Sequence, residues 1–311
     1  MLHLKTKAVA LAVGLSMVST CIPSTLANPV SAHLKSSQDN SKPSESQCLE
    51  VMGKLGMGTP MNAAESQQAL ALLKRCQTTF WVLPDPNASL PTANECLNFH
   101  SLILDALRQN SLDKLTTIPA KQQRSLSRCR EVIGIMYMPS GSMLPSIQIN
   151  DRFLIDKAVY RSQPPQRGDI ITFQPTDVLR QQNFKDLFLK RVIGLPGEKI
   201  EVKNGFVYIS GKRLQENYLE EPPNYQFGPV VIPIDQYFVL GDNRNNSYDS
   251  HYWGFVPRSL IIGKALSIVC PIERQRLLST SDSLSSERKV AISRFLKSVT
   301  SICGSLPLPR N

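Results

Sequence analysis

The spacing of hydrophobic residues changes several times along this chain, and each change marks a different kind of segment. Residues 1–7 are short and basic at Lys5 and Lys7, and an apolar run follows from Ala8 to Val18. Residues 28–46 are polar and carry no period, which predicts a flexible linker. Over residues 47–130 the apolar positions recur at helical spacing. They are Leu70, Leu73 and Cys76, then Phe99, Leu102, Ile103 and Leu107, then Leu126, Cys129 and Ile133. Pro84, Pro86 and Pro91 interrupt the pattern, so the simplest expectation is four short helices in two hairpins.

From about residue 131 the period shortens to that of strands. Candidate strands are 132–138, 152–157, 169–173, 187–193, 206–210, 237–240 and 261–269. Arg167-Gly168-Asp169, Pro196-Gly197-Glu198 and Asn204-Gly205 separate them as turns, the last with hairpin chemistry. Many short strands with glycine and proline turns predict a mainly β domain over 131–275. The tail, 276–311, regains a helical period. Ala291, Ile292, Phe295, Val299 and Ile302 share one face, with Arg288, Lys289, Arg294 and Lys297 largely elsewhere. A basic amphipathic helix of this kind either lies in a membrane interface or docks its apolar face on its own protein.

The first 27 residues predict an address. Pro23 follows the apolar run, and Thr25-Leu26-Ala27 places small residues where a secretory signal is cut. An uncleaved anchor is the rival reading, since Ala8 to Ala27 just reaches the roughly 20 residues a bilayer requires. On either reading the residues after 28 are exported. Export makes disulfides the expected state of the cysteines. Of seven cysteines, Cys48, Cys76, Cys96 and Cys129 sit in the helical segment, one near each hairpin end. Antiparallel packing favours Cys48–Cys76 and Cys96–Cys129 among the three possible pairings. The segment therefore reads as a disulfide-bearing α-helical domain ahead of the β domain. The net charge of +10 is spread along the chain. With no zinc-ligand spacing or phosphate-binding glycine loop, a basic face toward an anionic membrane surface fits better than nucleic acid.

The candidate chemistry begins at Pro139-Ser140-Gly141-Ser142-Met143-Leu144-Pro145, a proline-bounded turn that exposes serines. A serine nucleophile needs a base, and the chain holds only four histidines. Lys190 is the alternative, flanked by Phe188, Leu189, Val192 and Ile193. Burial lowers a lysine's pKa from its free value of about 10.4, and a neutral lysine can accept a serine's proton. A dense polar loop follows at Gly241-Asp242-Asn243-Arg244-Asn245-Asn246-Ser247-Tyr248-Asp249-Ser250-His251. Its aspartates lack the spacing of a calcium loop.

Taken in order, the serine turn, the Arg-Gly-Asp strand start, the strand around Leu189-Lys190-Arg191-Val192-Ile193-Gly194 and this polar loop resemble the bacterial type I signal peptidase family. The resemblance runs from about Val132 to Cys270. It implies a signal-peptidase-like β-fold of short antiparallel strands and a serine–lysine endopeptidase needing no cofactor and no metal. It implies that Ser142 is the nucleophile and Lys190 the general base. Ser140 is then the hydroxyl that helps bind the oxyanion beside the Ser142 N–H, and Ser247 the serine that hydrogen-bonds and orients the lysine. Arg191 and Asp242 match a supporting ion pair, and Asp249 an aspartate that holds the loop. Met138, Pro139, Met143, Ile147 and Leu189 match the apolar walls of a shallow substrate cleft suited to Ala-X-Ala sites. The chain departs from the family pattern with Asn150 in place of a glycine, Asn245 in place of an aspartate and His251 in place of an arginine. The partners implied are preproteins carrying signal peptides, met at the exported, periplasm-facing side of a bacterial inner or thylakoid-like membrane. A specialised peptidase serving one secretion or conjugation system and an inactive binding module are the competing readings.

Overall fold

In the computed structural model, the described residues are 87–108, 128–278 and 284–300, with residues 68, 71, 118, 119, 122, 125, 126 and 303. The readings for residues 1–27 and 28–46 and the Cys48–Cys76 pairing lie outside them.

Two antiparallel sheets form the body of the fold. The strands are β1 (Ile133–Tyr137), β2 (Arg152–Asp156), β3 (Ile170–Phe173), β4 (Phe188–Gly194), β5 (Lys199–Lys203) and β6 (Phe206–Ile209). They continue with β7 (Lys212–Arg213), β8 (Phe227–Val231), β9 (Gln236–Leu240), β10 (Val256–Pro257), β11 (Ile261–Cys270) and β12 (Arg276–Leu277). The larger sheet runs β1-β2-β11-β3-β4-β9-β10, with β12 added beside β11, and the smaller runs β7-β6-β5-β8. All the candidate strands are present, displaced by a residue or two at their ends. The Asn204-Gly205 hairpin is also present: both residues have positive φ, 52° and 79°, and Lys203 pairs with Phe206.

Five strands, β5, β7, β8, β10 and β12, and two short helices were not anticipated. Strand β5 alternates well, with Ile200 and Val202 buried, but its five residues include three charges. Strand β8 contains Gly228 and Pro229, which is tolerated because it is an edge strand. Two short helices also appear. One is α2 (Asp177–Gln181), capped by the Thr176 hydroxyl accepting from Leu179 N. The other is α3 (Ser250–Trp253).

Helix α1 (Ala93–Arg108) starts at a capping box: the Thr92 hydroxyl accepts from Glu95 N, and the Glu95 carboxylate accepts from Thr92 N at 2.7 Å. The expected spacing Leu126, Cys129, Ile133 is not one helix. Cys129 lies in a 3₁₀ turn and Ile133 opens β1, so the period changes inside that triplet. Cys96–Cys129 is formed as expected, and a second bridge, Cys270–Cys303, has the same sequence separation of 33.

Helix α4 (Ser286–Val299) settles the two readings of the tail. Its apolar face is not available to a membrane, because Ala291, Ile292, Phe295 and Val299 are buried in one cluster with Leu97, Leu104, Leu154, Leu266 and Val269. Burying three such large side chains stabilises this layer by about 1.5–3 kcal/mol each. Arg288 also pairs with the buried Asp156. Strand β2 is consequently covered on both faces. Leu154 points toward the helices, while Phe153 and Ile155 point into a second cluster with Met138, Met143, Ile147 and Leu189. That second cluster is the floor on which the site is built.

Candidate active site

The serine turn is the connection from β1 to β2, and its base is closed by backbone bonds. Met138 N donates to Asp151 O at 2.8 Å, and Asn150 N donates to Met138 O at 2.7 Å. Asn150 has φ 68°, the left-handed conformation that favours glycine and that asparagine tolerates better than most residues. Its presence where the family pattern has glycine is thereby explained. Inside the loop, a single 3₁₀ turn over Gly141–Met143 carries Ser142.

Strand β4 brings Lys190 to that serine across 48 residues of sequence. Lys190 Nζ donates to Ser142 Oγ at 2.9 Å and to Leu189 O at 3.2 Å. Both side chains are shielded, with Lys190 4% and Ser142 8% exposed. Desolvation pushes the lysine pKa down to about 8, against the opposing pull of the Asp249 and Asp242 charges. An amine of this kind is about half neutral at pH 8 and about one-tenth neutral at pH 7, far more than an ordinary lysine. The Ser140 hydroxyl donates to Ser142 Oγ at 3.3 Å from an exposed position at the mouth of the loop.

The loop after β9 frames the other side. Asp242 holds Arg191 through two bonds, Nε to Oδ1 at 2.7 Å and a terminal nitrogen to Oδ2 at 2.6 Å. The same guanidinium lies 4.0 Å from the Tyr218 ring centroid. Asp249 caps α3 and accepts from Gly241 N at 2.9 Å, and His251 Nδ1 lies 2.6 Å from its other oxygen. His251 therefore occupies the arginine's place in the pair, and its ring stacks on Tyr225 at 4.1 Å.

Two expectations need correction. Ser247 Oγ is buried beside the site but has no hydrogen-bond partner, so it does not hydrogen-bond Lys190 here. The lysine directs its hydrogens to Ser142 and Leu189 O instead. The apolar residues assigned to open cleft walls are also mostly interior. Met143 and Ile147 are fully buried and Met138 and Leu189 nearly so, because they complete the core cluster under β2. Only Pro139 of that set is exposed.

Sequence reasoning missed three contributors. Asn243 grips the nucleophile turn, its backbone N–H donating to Ser142 O and its side-chain amide to Gly141 O, both at 3.1 Å. Gly241 makes room for this approach: a Cβ there would stand 2.2 Å from Ser247 Oγ and 2.4 Å from Ser142 O. Arg244 is buried and pairs with Glu216, which lies on a different loop with no motif to mark it. Position within the Gly241-Asp242-Asn243 run was the available signal for the first two.

Comparison with known proteins agrees with the segment that carries this geometry. Residues 128–270 match the family described as signal peptidase, peptidase S26. The chain is 57% identical over 143 residues to the probable signal peptidase I-2 of Synechocystis sp., covering 46% of this chain and 66% of that protein. It is 55% identical over 140 residues to a signal peptidase I of Leptolyngbya laminosa, covering 44% of this chain and 69% of that one. Identity is 33% over 158 residues to the probable thylakoidal processing peptidase 2, chloroplastic, of Arabidopsis thaliana, covering 50% and 43%. Every residue of the site lies within the matched segment. The chain belongs to the signal peptidase family, peptidase S26, and is a peptidase.

Proposed function

We propose that this peptidase removes signal peptides from exported preproteins after Ala-X-Ala-like sites, with Ser142 as nucleophile and Lys190 as general base. The observation that carries the reading is the 2.9 Å contact between Ser142 Oγ and a buried lysine whose pKa is pushed to about 8. Neutral Lys190 takes the hydroxyl proton as Ser142 Oγ attacks the scissile carbonyl carbon. The tetrahedral oxyanion is met by the Ser140 hydroxyl and the Ser142 N–H. A single such donor contributes about 2.7–4 kcal/mol in well-studied hydrolases. Protonated Lys190 then gives its proton to the leaving amine nitrogen, the C–N bond breaks, and an ester to Ser142 remains. Lys190, neutral again, takes a proton from the water that attacks the ester carbon, and passes it to Ser142 Oγ as the C–O bond breaks, which frees the serine and the new carboxylic acid, ionised on release.

Arg191 with Asp242 and the cap made by Asp249 hold the walls of this site in place. The buried Met138, Met143, Ile147 and Leu189 fill the space under the serine and support its turn from below.

The site of action is the exported side of a bacterial inner or thylakoid-like membrane. Among the described residues no helix is long and apolar enough to cross a bilayer. Support for surface contact comes from Phe184, Leu187, Tyr248 and Tyr252, all exposed near the Lys190 strand and the Ser247 loop. Three of their rings form a series with centroids 5.9 and 5.3 Å apart. Aromatic rings with one polar end suit a lipid–water boundary. Residues 1–27 serve as signal or anchor and 28–46 as tether. The helical segment 47–130 and the tail 276–311 flank the catalytic domain at 131–275.

Cleavage of a preprotein bearing an Ala-X-Ala site by wild type, Ser142→Ala and Lys190→Ala tests the assignment. Loss of activity in both variants with wild-type folding is expected; residual cleavage by Ser142→Ala at the wild-type rate refutes it.

A further inference from the structure

The nucleophile turn is gripped from two sides, and one grip lies outside the segment matched by the family. Asn243 holds the Gly141–Ser142 end. The Ser146–Asp151 end is held by residues 271–278, which follow the matched residues 128–270. After β11 the chain reverses through a 3₁₀ turn over Ile272–Arg274 and returns along β11 as β12, with Ser267 opposite Leu277.

Two arginines of this returning segment reach the serine loop. Arg274 Nε donates to Asp151 Oδ1 at 2.8 Å, and a terminal nitrogen of the same side chain lies 2.5 Å from that oxygen. Asp151 is fully buried, and its second oxygen accepts from Gln148 N at 2.8 Å inside the loop. Its backbone carbonyl receives Met138 N, so Asp151 ties the loop base, the loop interior and the returning segment together. Arg276 donates to the carbonyl of Ser146, whose hydroxyl accepts from Arg191 at 3.3 Å. Ile147, the next residue, donates its N–H to Met143 O at 2.9 Å, one residue beyond the nucleophile.

The segment is itself fixed at both ends. Gln275 Nε2 donates to Val269 O at 2.8 Å and to Leu296 O of α4 at 3.3 Å. Cys270, immediately before the reversal, is bridged to Cys303 beyond α4. At the far end Leu278 N donates to Leu266 O at 2.8 Å, and the Leu278 side chain packs against the cluster containing Met143 and Ile147.

We infer that residues 271–278 are a strap that sets the position of the nucleophile turn, with Arg274 and Arg276 as positioning residues for peptide cleavage. The inference rests on Ser142 being the nucleophile. Neither arginine contacts Ser142 or Lys190. Each acts by fixing the carbonyl or carboxylate that shapes the far half of the loop. A displacement of about 1 Å in a reacting group can cost on the order of a hundredfold in rate. Partial release of one anchor, with Asn243 still in place, is therefore expected to lower kcat by about tenfold.

The test compares wild type, Ser142→Ala, Arg276→Ala, Arg276→Lys, Arg274→Ala and Arg274→Lys on one preprotein substrate, with thermal melting of each. Arg276 is exposed, so its removal leaves no buried group without a partner. The expected result is a roughly tenfold fall in kcat for the alanine variants with KM within about twofold. Arg276→Lys should recover most of the rate, since an ammonium can still donate to the Ser146 carbonyl. Should Arg274→Ala fail to fold, Arg276→Ala and the lysine variants decide. Wild-type kcat in Arg276→Ala, with Ser142→Ala inactive, overturns the strap and leaves the dyad standing. Activity in Ser142→Ala overturns the dyad itself. A loss in Arg276→Ala that is matched by an equal loss of folded protein, with no recovery in Arg276→Lys, also overturns the strap.

Discussion

Replacing Gly241 by alanine tests how closely the site is packed. The added Cβ would stand 2.4 Å from the Ser142 carbonyl oxygen, 2.2 Å from Ser247 Oγ and 2.6 Å from Ser247 Cβ, where 3.4–4 Å is ordinary contact. Ser247 Oγ is the end of a short side chain and can rotate away, but the Ser142 carbonyl is backbone. Restoring ordinary contact requires that carbonyl, or the strand end at Gly241, to retreat by about 1 Å (3.4 less 2.4). The same carbonyl accepts from Asn243 N at 3.1 Å, so the retreat lengthens that bond and carries Ser142 away from Lys190. Overpacking of this kind costs about 1–3 kcal/mol of stability, and misplacing the nucleophile by about 1 Å costs on the order of a hundredfold in rate. Stopped-time cleavage of a preprotein under saturating conditions, with a melting curve for each protein, separates the two effects. The expected result is a folded protein with kcat reduced by one to two orders of magnitude. A Gly241→Ala variant with kcat within threefold of wild type would refute the close-approach argument.

Three further outcomes follow from the structure. In the proposed mechanism Lys190 acts while neutral, so with its pKa at about 8 kcat should fall about tenfold for each pH unit below 8 and level off above it. Unfolding releases that lysine to its ordinary value of 10.5, so the unfolded chain binds its proton more tightly. This group's contribution to stability should therefore rise by about 3 kcal/mol as pH climbs from 8 to 10.5, readable against Lys190→Met. Phe295→Ala in α4 should destabilise the fold by about 3–5 kcal/mol, because Phe295 is fully buried between α1 and the sheet. A chemical-denaturation shift under 1 kcal/mol would mean that α4 is not docked in solution.

Much of the fold was legible in the sequence, since seven of the strands are short apolar-rich runs between turn residues, several of them buried on both faces. Strand β5 escaped because lysine and glutamate occupy its outer face, and β8 because glycine and proline disguise an edge strand. The meeting of Lys190 with Ser142 was legible because an apolar-flanked lysine and a proline-bounded serine are both unusual. Asn243 was marked only by its place in the Gly241-Asp242-Asn243 run, and Glu216 by nothing, because their roles depend on which loops meet in space. Glu216 matters only as the partner of the buried Arg244, 28 residues away. The bridge from Cys270 to Cys303 could have been suspected from its spacing, which equals that of Cys96 and Cys129. The docking of α4 was undecidable from its own pattern, because a membrane and a protein core select the same apolar face.

The sequence distances across the site bear on when it comes into being. Lys190 reaches Ser142 over 48 residues, and Asn243 reaches Gly141 over 102. Contacts of such separation form late, after the entropy of closing long loops has been overcome. A folding intermediate with only the β1–β2 hairpin formed has a serine turn but no base and no Asn243 clamp. In the proposed mechanism, cleavage needs these long-range pairings, so a chain that has not made them lacks the assembled Ser142–Lys190 pair.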